Sequence, residues 1–189
     1  MQKKLPKVYL FIDEFNPLDL NNLNKNISII YRNYKKNINE STLVSLRNYC
    51  KSNKRKLYLA NNIRLAIKYK LDGAYIPSFI KITNFNLYSR PKNFVIIGSA
   101  HNKQEIIIKK NQGCTSIFLA PIFKVKKKNS YLDINRFNLL TLGLETKFIA
   151  LGGINEKNFK KINLLNCEGF SGISWIKKTG LTIKIRPVL

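Results

Sequence analysis

Short apolar runs alternate along the chain with segments whose apolar residues recur every three or four positions. Continuous runs of this length are typical of strands buried on both faces, and the three-to-four spacing is typical of helices that bury one face. Residues 148–151, Phe-Ile-Ala-Leu, form the clearest run, because no polar residue interrupts it. The pattern predicts eight β-strands, at residues 7–13, 27–32, 56–60, 73–76, 94–98, 116–120, 148–151 and 170–176.

Helices are predicted between most of these strands. Several begin at an asparagine, whose side chain can accept a hydrogen bond from a free backbone N–H of the first helical turn. In Asn102-Lys103-Gln104-Glu105 the glutamate three residues later matches the capping-box pattern. The stretch 77–92 is expected to be a loop with one broken helix. The predicted helices lie at residues 17–24, 39–50, 61–70, 102–112, 134–142 and 155–165.

Eight strands alternating with helices predict a parallel sheet, and eight β/α units close into a (β/α)8 TIM barrel, an α/β fold. Gly73, Gly113 and Gly169 each lie between a helix and the next strand, where helix C-termini favour a left-handed residue. TIM barrels typically have about 250 residues, so the loops of this 189-residue chain must be short. Residues 179–189 have no helical pattern, so the last helix is expected to be truncated or absent.

Composition narrows the class of protein. The 189 residues, 44% of them hydrophobic, predict a single folded domain over residues 1–189. No apolar run approaches the length of a membrane span, and the basic N-terminus lacks the apolar core of a signal peptide. Cys50, Cys114 and Cys167 have no metal-ligand spacing. We therefore expect a cytoplasmic protein with reduced, buried cysteines and no membrane partner.

The formal net charge of +24 raises two alternatives, a nucleic-acid-binding face or a basic surface in contact with solvent. The lysines are spread over the whole chain, and only residues 51–56 and 124–128 form clusters. We favour the solvated surface, with nucleic acid bound only non-specifically. Such a surface still favours anionic small molecules, phosphate esters among them.

Candidate site residues follow from the predicted barrel, in which chemistry lies at the C-terminal ends of the strands and phosphate often binds after strands seven and eight. Gly152 and Gly153 lie there, before the helix predicted from Asn155. Glycines let the backbone approach a ligand closely, and a helix N-terminus offers free N–H groups to an anion. The alternative is a tight turn that binds nothing. Further candidates at strand ends are Arg32, Asn61, Asn62, Ser78, Ser99, His101, Ile176, Lys177 and the loop 121–128.

His101 is the only histidine, and it directly precedes a predicted helix. Histidine is the side chain best suited to proton transfer near neutral pH. Two interpretations stay open: a catalytic residue, or a loop residue that only hydrogen-bonds nearby backbone.

Four segments together resemble a known family: IIGSAHNKQE, IFLAPIFKVKKK, FIALGGINEKNF and GISWIK. In order and spacing they are similar to the second half of thiamine phosphate synthase and of its relative TenI, a thiazole tautomerase. The family pattern there is G-x-S-x-H, GPIFPTxTK, A-I-G-G-I and G-x-x-x-I-S. The resemblance covers residues 94–178. The first half fits more loosely, through IIYRNYKK and LYLANNIRLAIKYKLDGAYIPS.

The resemblance implies a TIM barrel in thiamine biosynthesis. Thiamine phosphate synthase joins a hydroxymethylpyrimidine pyrophosphate to a thiazole phosphate and releases pyrophosphate with the help of Mg²⁺. Carried across by motif, Arg32 and Ser99 would contact pyrophosphate, and Lys128 would close over it. His101 would line the mouth or, as TenI implies, shuttle a proton. The thiazole phosphate would be held by Gly152, Gly153, Ile176 and Lys177.

The chain departs from the family pattern at the metal. Asn61, Asn62 and Phe79 stand where the family has magnesium carboxylates, and amide oxygens without that charge should bind Mg²⁺ much more weakly. The second basic residue of the Arg32 strand is replaced by Tyr34. Three functions stay open: a thiamine phosphate synthase, a metal-free TenI-like tautomerase, and a catalytically degenerate barrel that binds a phosphate ester or a macromolecule. The oligomeric state also stays open, a homo-oligomer included.

Overall fold

The computed structural model describes residues 6–34, 38–82, 89–125 and 130–180. Eight parallel strands form a closed barrel in sequence order. Lys7 pairs with Gly169 and Val8 with Phe170, so that the first strand closes on the last. The strands are β1 (Lys7–Ile12), β2 (Ile27–Tyr31), β3 (Leu57–Ala60), β4 (Gly73–Ile76), β5 (Val95–Ala100), β6 (Ser116–Leu119), β7 (Lys147–Leu151) and β8 (Gly169–Ser171).

In the described parts of the chain a helix follows each strand except β4, as the TIM-barrel prediction requires for the other seven. No helix in the described parts of the chain is long and apolar enough to cross a membrane. The helices are α1 (Pro17–Asn21), α2 (Glu40–Ser52), α3 (Ile63–Lys68), α4 (Lys103–Asn111), α5 (Asp133–Thr141), a 3₁₀ helix (Phe159–Leu164) and α6 (Ile173–Thr179).

The core has two parts, as alternation along each strand dictates. Residues that point outward pack under the helices in one large cluster. Residues that point inward fill the barrel with rings: Phe118 lies 5.3 Å from Tyr9 and 5.2 Å from Phe11, and Phe11 lies 5.1 Å from Tyr75, between ring centroids. The interior below the mouth is therefore packed, and the chemistry is confined to the strand ends.

The asparagine caps are confirmed for the helices predicted from residues 39, 61 and 102, but not for the one predicted from Asn155. Asn39, Asn62 and Asn102 each accept a first-turn N–H, at the starts of α2, α3 and α4. The capping box of α4 is modified, because Glu105 Oε2 accepts the N–H of His101, at 2.7 Å. This contact fixes the backbone of the one histidine.

Two of the predicted elements are wrong. The strand predicted at 170–176 is only three residues long, and α6 begins at Ile173. The α-helix predicted from Asn155 is replaced by turns and the 3₁₀ helix. The last described helix is short and ends at Gly180 in the left-handed conformation with φ +63°. Residues 181–189, part of the stretch where the last helix is expected to be truncated or absent, lie outside the described residues. Of the loop predicted at 77–92, the described parts contain no helix, and residues 83–88 lie outside them.

The glycine prediction is right only for Gly113, which has φ +76°. Gly73 and Gly169 are instead the first residues of β4 and β8. The cysteine prediction is confirmed for Cys50 and Cys114, which are buried free thiols, whereas Cys167 is half-buried. Burial raises the pKa of both buried thiols to about 12.

Candidate functional site

The carboxyl ends of the eight parallel strands meet at one face of the barrel, here called the mouth. Arg32 directly follows β2, Asn61 follows β3, His101 follows β5 and Gly152 follows β7, while Ser99 lies near the end of β5. The closed barrel therefore brings these five predicted residues to the same face.

Gly152 and Gly153 lie in a turn that packs on the segment after β6. Their φ angles are +93° and +74°, values that favour glycine. A Cβ on Gly153 would lie 2.5 Å from the carbonyl oxygen of Phe123, and one on Gly152 would lie 2.8 Å from Cβ of Pro121. The N–H of Phe123 donates to the Gly152 carbonyl at 3.1 Å. The two glycines are thus required for two loops to touch.

The same turn leaves backbone donors free. Within the described residues no hydrogen bond uses the N–H groups of Gly153 or Ile154. We call residues 152–154 the glycine turn.

No α-helix directly follows the glycine turn. Asparagine side chains instead hydrogen-bond backbone groups of residues 153–157 and form turns there. Asn155 Oδ1 accepts the N–H of Lys157 at 3.0 Å, and Asn158 Oδ1 accepts the N–H of Asn155 at 2.9 Å. Asn158 Nδ2 also donates to the Gly153 carbonyl at 2.8 Å. The prediction that a helix starting at Asn155 supplies an anion site is therefore wrong.

A different helix begins beside the glycine turn. The first hydrogen bond within α6 runs from the Ile176 N–H to the Gly172 carbonyl at 2.8 Å, so the N–H groups of Ile173 and Ser174 precede the helical ladder. A Cβ on Gly172 would lie 3.4 Å from the carbonyl oxygen of Ile154. Free backbone N–H groups of two segments therefore lie together at the ends of β7 and β8.

Two of the residues predicted to hold a thiazole phosphate after the eighth strand, Ile176 and Lys177, lie inside α6. Ile176 is fully buried, and its N–H is used within α6. Lys177 is exposed and borders a cavity of about 310 Å³ beside α1, with Glu14 and Asp19 in the same lining. Lys177 also borders the cavity of about 790 Å³ that adjoins Arg32.

The residues that sequence reasoning missed are Ile173 and Ser174, which directly follow Gly172 at the end of β8. The family pattern G-x-x-x-I-S also fits Gly169 to Ser174. The signal was present in the sequence, but a strand extended to residue 176 concealed it.

His101 is half-buried and held by backbone. Its Nδ1 lies 2.6 Å from the carbonyl oxygen of Ala120. A carbonyl only accepts, so we assign the proton to Nδ1, which leaves the lone pair on Nε2. The residue does hydrogen-bond nearby backbone, and that bond fixes the tautomer a general base needs.

Ser99 lies below the mouth, 5% exposed, and its Oγ accepts the hydroxyl of Tyr75 at 2.9 Å. Burial raises the pKa of Tyr75, so the phenol keeps its proton and donates. Sequence reasoning did not identify Tyr75, because an aromatic residue in a buried strand gives no sign of its polar partner.

Arg32 lies at the mouth against aromatic rings. Its guanidinium carbon is 4.8 Å from the ring centroid of Phe11 and 5.7 Å from that of Tyr34. Its Nε is 3.8 Å from Asp13 Oδ1, which is a loose ion pair. The side chain is partly exposed, and a cavity of about 790 Å³ lies beside it. Arg32 is therefore a cation held in place at the mouth.

The residues at the predicted metal position do not fit Mg²⁺. Asn62 Oδ1 accepts the N–H of Leu65 at 2.9 Å, so this oxygen caps α3. Asn61, with φ +59°, supplies only a neutral amide. In the described ranges no group of three or more His, Cys, Asp or Glu could hold a metal. Mg²⁺ prefers carboxylate oxygens, and this edge has none in those positions.

Two departures from the family pattern meet at this edge. The rings of Tyr34 and Phe79 have centroids 5.6 Å apart and planes at 75°. Phe79 is 61% exposed and Tyr34 50% exposed. We call these two residues the aromatic pair.

Phe79 is carried by the β4 loop, residues 77–82, which also contains Ser78. Lys109 Nζ donates to the carbonyls of Pro77 and Ile80, both at 2.7 Å, and to Gln112 Oε1 at 2.9 Å. Gln112 Nε2 donates to the Ile80 carbonyl at 2.9 Å. The side chains of Lys109, in α4, and Gln112, directly after it, are fully buried. We call Lys109 and Gln112 the clamp. Sequence reasoning missed it, although Lys109 lies three residues after the buried Ile106.

Two residues of the first basic cluster, residues 51–56, make local contacts. Arg55 is 5% exposed and donates to the carbonyls of Leu20, Leu23 and Asn24. Lys56 pairs with Asp72 at 2.6 Å. In the second cluster, Lys128 and its predicted role lie outside the described residues. Arg55 is therefore a structural residue.

Comparisons with known proteins identify the family of this chain. A family model described as thiamine monophosphate synthase matches residues 25–176. A thiamine-phosphate synthase of Prochlorococcus marinus strain AS9601 is 26% identical over 161 residues, which are 80% of this chain and 44% of that protein. Another, from strain SARG of the same organism, is 41% identical over 70 residues, 35% of this chain and 20% of that protein. The chain thus spans less than half the length of these curated relatives.

Among solved structures, a thiamine phosphate pyrophosphorylase from Pyrococcus furiosus superposes with a TM-score of 0.72. The match covers 92% of this chain and 91% of that one at 14% identity, and it shows a common fold.

Proposed function

Because the chain belongs to the thiamine monophosphate synthase family, we propose that it works in thiamine biosynthesis. The proposed reaction joins a hydroxymethylpyrimidine pyrophosphate to a thiazole phosphate and releases pyrophosphate. The single observation that carries the proposal is the group of free backbone N–H donors formed by the glycine turn and the first turn of α6. Phosphate binds at the ends of strands seven and eight in many TIM barrels.

The thiazole phosphate is proposed to bind Gly153, Ile154, Ile173 and Ser174 through their N–H groups. Backbone N–H groups and the positive end of a helix dipole both favour a phosphate. The ester would then be held at one end of the mouth, with its ring facing the remaining strand ends.

Arg32 is proposed to stabilise the leaving pyrophosphate. Departure of pyrophosphate breaks a carbon–oxygen bond and leaves both electrons on the oxygen, so a fixed cation nearby lowers the barrier. Packing against Phe11 and Tyr34 holds the guanidinium at the mouth before substrate arrives. Ser99 and Lys128 keep their proposed pyrophosphate contacts as secondary parts of this hypothesis. No step is assigned to Mg²⁺, because the residues at its position do not fit it.

A second candidate is a metal-free thiazole tautomerase, and the geometry of His101 favours it. Tautomerisation takes a proton from one ring atom and returns one to another. The Ala120 carbonyl holds the Nδ1 proton, so Nε2 is available to accept and return that proton. This reaction also needs only the thiazole phosphate.

The deciding experiment measures thiamine phosphate formation by the purified protein from both substrates, first with Mg²⁺ and then with a chelator. Product in both conditions supports the synthase without a required metal. Product only with Mg²⁺ supports the synthase and contradicts the conclusion that Asn61 and Asn62 do not fit Mg²⁺. If no thiamine phosphate forms but the thiazole phosphate tautomer is converted, the tautomerase proposal replaces the synthase proposal.

Thiazole phosphate binding is measured in parallel by calorimetry. No binding at all contradicts both reactions and leaves the non-catalytic barrel. In that case a steep loss of nucleic-acid affinity with salt identifies charge-driven binding to that polymer.

A further inference from the structure

The aromatic pair borders a cavity of about 610 Å³ between the ends of β2 and β4. Large aromatic side chains are normally buried, and two of them exposed in contact with each other commonly mark a binding surface. Ile38, Leu65 and Asn61 form other parts of the lining. Asn33, Asn62 and Glu40 also line the cavity, which therefore combines apolar side chains with amides and one carboxylate.

The exposure of Phe79 is a property of the fold. The clamp fixes the carbonyls of Pro77 and Ile80, which lie on either side of Phe79 in the β4 loop. A buried lysine with three oxygen partners is a specific arrangement, since an unpaired buried amine would be costly. The loop therefore holds the ring at the rim.

The Tyr34 ring is held by Arg32, at the end of β2. The guanidinium of Arg32 lies over it and over Phe11. Burial raises the pKa of Tyr34, so its phenol is neutral at physiological pH. The aromatic pair itself therefore carries no charge.

We propose that the aromatic pair is the binding surface for the flat ring of an amino-substituted heterocycle. Two rings that meet edge to face form a corner, and a third flat ring can stack on one of them while its edge meets the other. The side-chain amide of Asn61 makes no hydrogen bond within the described residues, and it offers both a donor and an acceptor to a ring nitrogen and an amino group. At the position expected for a metal, the chain thus recognises an uncharged ring.

This inference deepens the proposed function, on which it rests for the choice of the first probe. An aminopyrimidine and an adenine share the required chemistry. The two probes are therefore the unphosphorylated aminopyrimidine alcohol and free adenine, each titrated against the full-length protein by calorimetry and by ligand-observed NMR.

Phe79→Ala and Tyr34→Ala are each expected to weaken binding of the preferred probe about tenfold, the size of one lost stacking contact. Phe79→Tyr and Tyr34→Phe keep the rings and are expected to bind within about twofold of wild type. Leu164→Ala, which removes an exposed side chain beyond β7, is the matched control and should bind as wild type. Circular dichroism checks that each variant is folded.

Unchanged affinity in both alanine variants, or no binding of either probe to wild type, overturns the inference. Preference for the pyrimidine alcohol assigns the surface to the thiamine precursor, and preference for adenine assigns it to a nucleotide. The two proposals fail separately. Normal KM for the pyrimidine pyrophosphate in Phe79→Ala, together with unchanged binding of both probes, overturns only this inference. No turnover by wild type with Phe79-dependent probe binding overturns only the synthase.

Discussion

The two sides of the mouth are built from different parts of the chain. At the ends of β7 and β8 the donors are backbone N–H groups, placed by glycines that let loops touch. At the ends of β2 to β4 the surface consists of side chains, among them Arg32, Tyr34 and Phe79. A backbone donor survives most substitutions, since every residue but proline supplies it. A side-chain site changes with each substitution, and the departures at Asn61, Asn62 and Phe79 lie on that side.

The largest expected effect comes from breaking the backbone-built side. Gly153→Ala places a Cβ against the Phe123 carbonyl and forces a side chain to adopt φ +74°. We expect a loss of about 3 kcal/mol in unfolding free energy, from overpacking and the left-handed backbone together. Thiazole phosphate affinity should fall by more than about 100-fold, the equivalent of two or more lost hydrogen bonds to a charged group. Calorimetry and chemical denaturation measure the two quantities.

Gly143→Ala is the matched control for that variant. Gly143 has φ +70°, but a Cβ there meets nothing within 4 Å. It should cost only about 1 kcal/mol, the price of the left-handed conformation, and leave phosphate binding intact. Equal effects of the two variants would show that loop contact at Gly153 is irrelevant.

The second prediction tests whether His101 transfers a proton or only hydrogen-bonds the backbone. His101→Asn can keep a donor to the Ala120 carbonyl but has no second ring nitrogen, whereas His101→Ala removes both. If Nε2 transfers a proton, both variants lose about 100-fold in tautomerisation rate. Thiazole phosphate affinity should change less than about twofold, because no backbone donor moves. A normal rate in His101→Asn alone would reduce the residue to a structural one.

The strands and caps could be predicted because each depends on a local pattern. Four consecutive apolar residues at 148–151 indicate a buried strand wherever they occur, and Asn102 caps α4 through its own first turn. The end of β8 could not be predicted in this way. Phe170 belongs to the strand, whereas Trp175 and Ile176 belong to the buried face of α6. Periodicity does not separate two such short apolar stretches.

The side-chain contacts of the site were beyond sequence reasoning for another reason. The clamp joins residues about 30 positions apart, and the aromatic pair joins Tyr34 to Phe79. Such contacts depend on the closure of the barrel. The resemblance identified both ring positions as departures, but only the fold shows that they touch.

The third prediction concerns Lys109 of the clamp, which supports the side of the mouth that is built from side chains. Lys109→Met leaves buried carbonyls of the β4 loop without a donor, and we expect a loss of about 2 kcal/mol near pH 7. Exposed Lys110→Met, on the same helix, should be neutral. Binding of the aminopyrimidine alcohol should weaken with Lys109→Met only, because Phe79 loses its support.

The pH dependence of that loss has a definite sign. Burial lowers the pKa of Lys109 from 10.5 to about 8, and Cys114 and Glu105 offset only part of this shift. Between these values the unfolded chain holds a proton that the folded chain has released, so the stability conferred by Lys109 rises with pH. The gap between wild type and Lys109→Met should therefore widen from pH 8 to pH 10. A gap that narrows would mean that the amine stays charged when buried.

The smallest expected effect is at Asn62. It tests whether the edge built from side chains still binds Mg²⁺. Asn62 Oδ1 caps α3 through the Leu65 N–H, so Asn62→Ala should cost about 1 kcal/mol, a typical lost N-cap. Asn62→Asp should keep the cap, because aspartate accepts the same bond. If Asn62 only caps, the response of product formation to Mg²⁺ is the same in wild type and both variants. A weaker response in Asn62→Ala and a stronger one in Asn62→Asp would make the amide a metal ligand, and the two sides of the mouth would then both retain the family's chemistry.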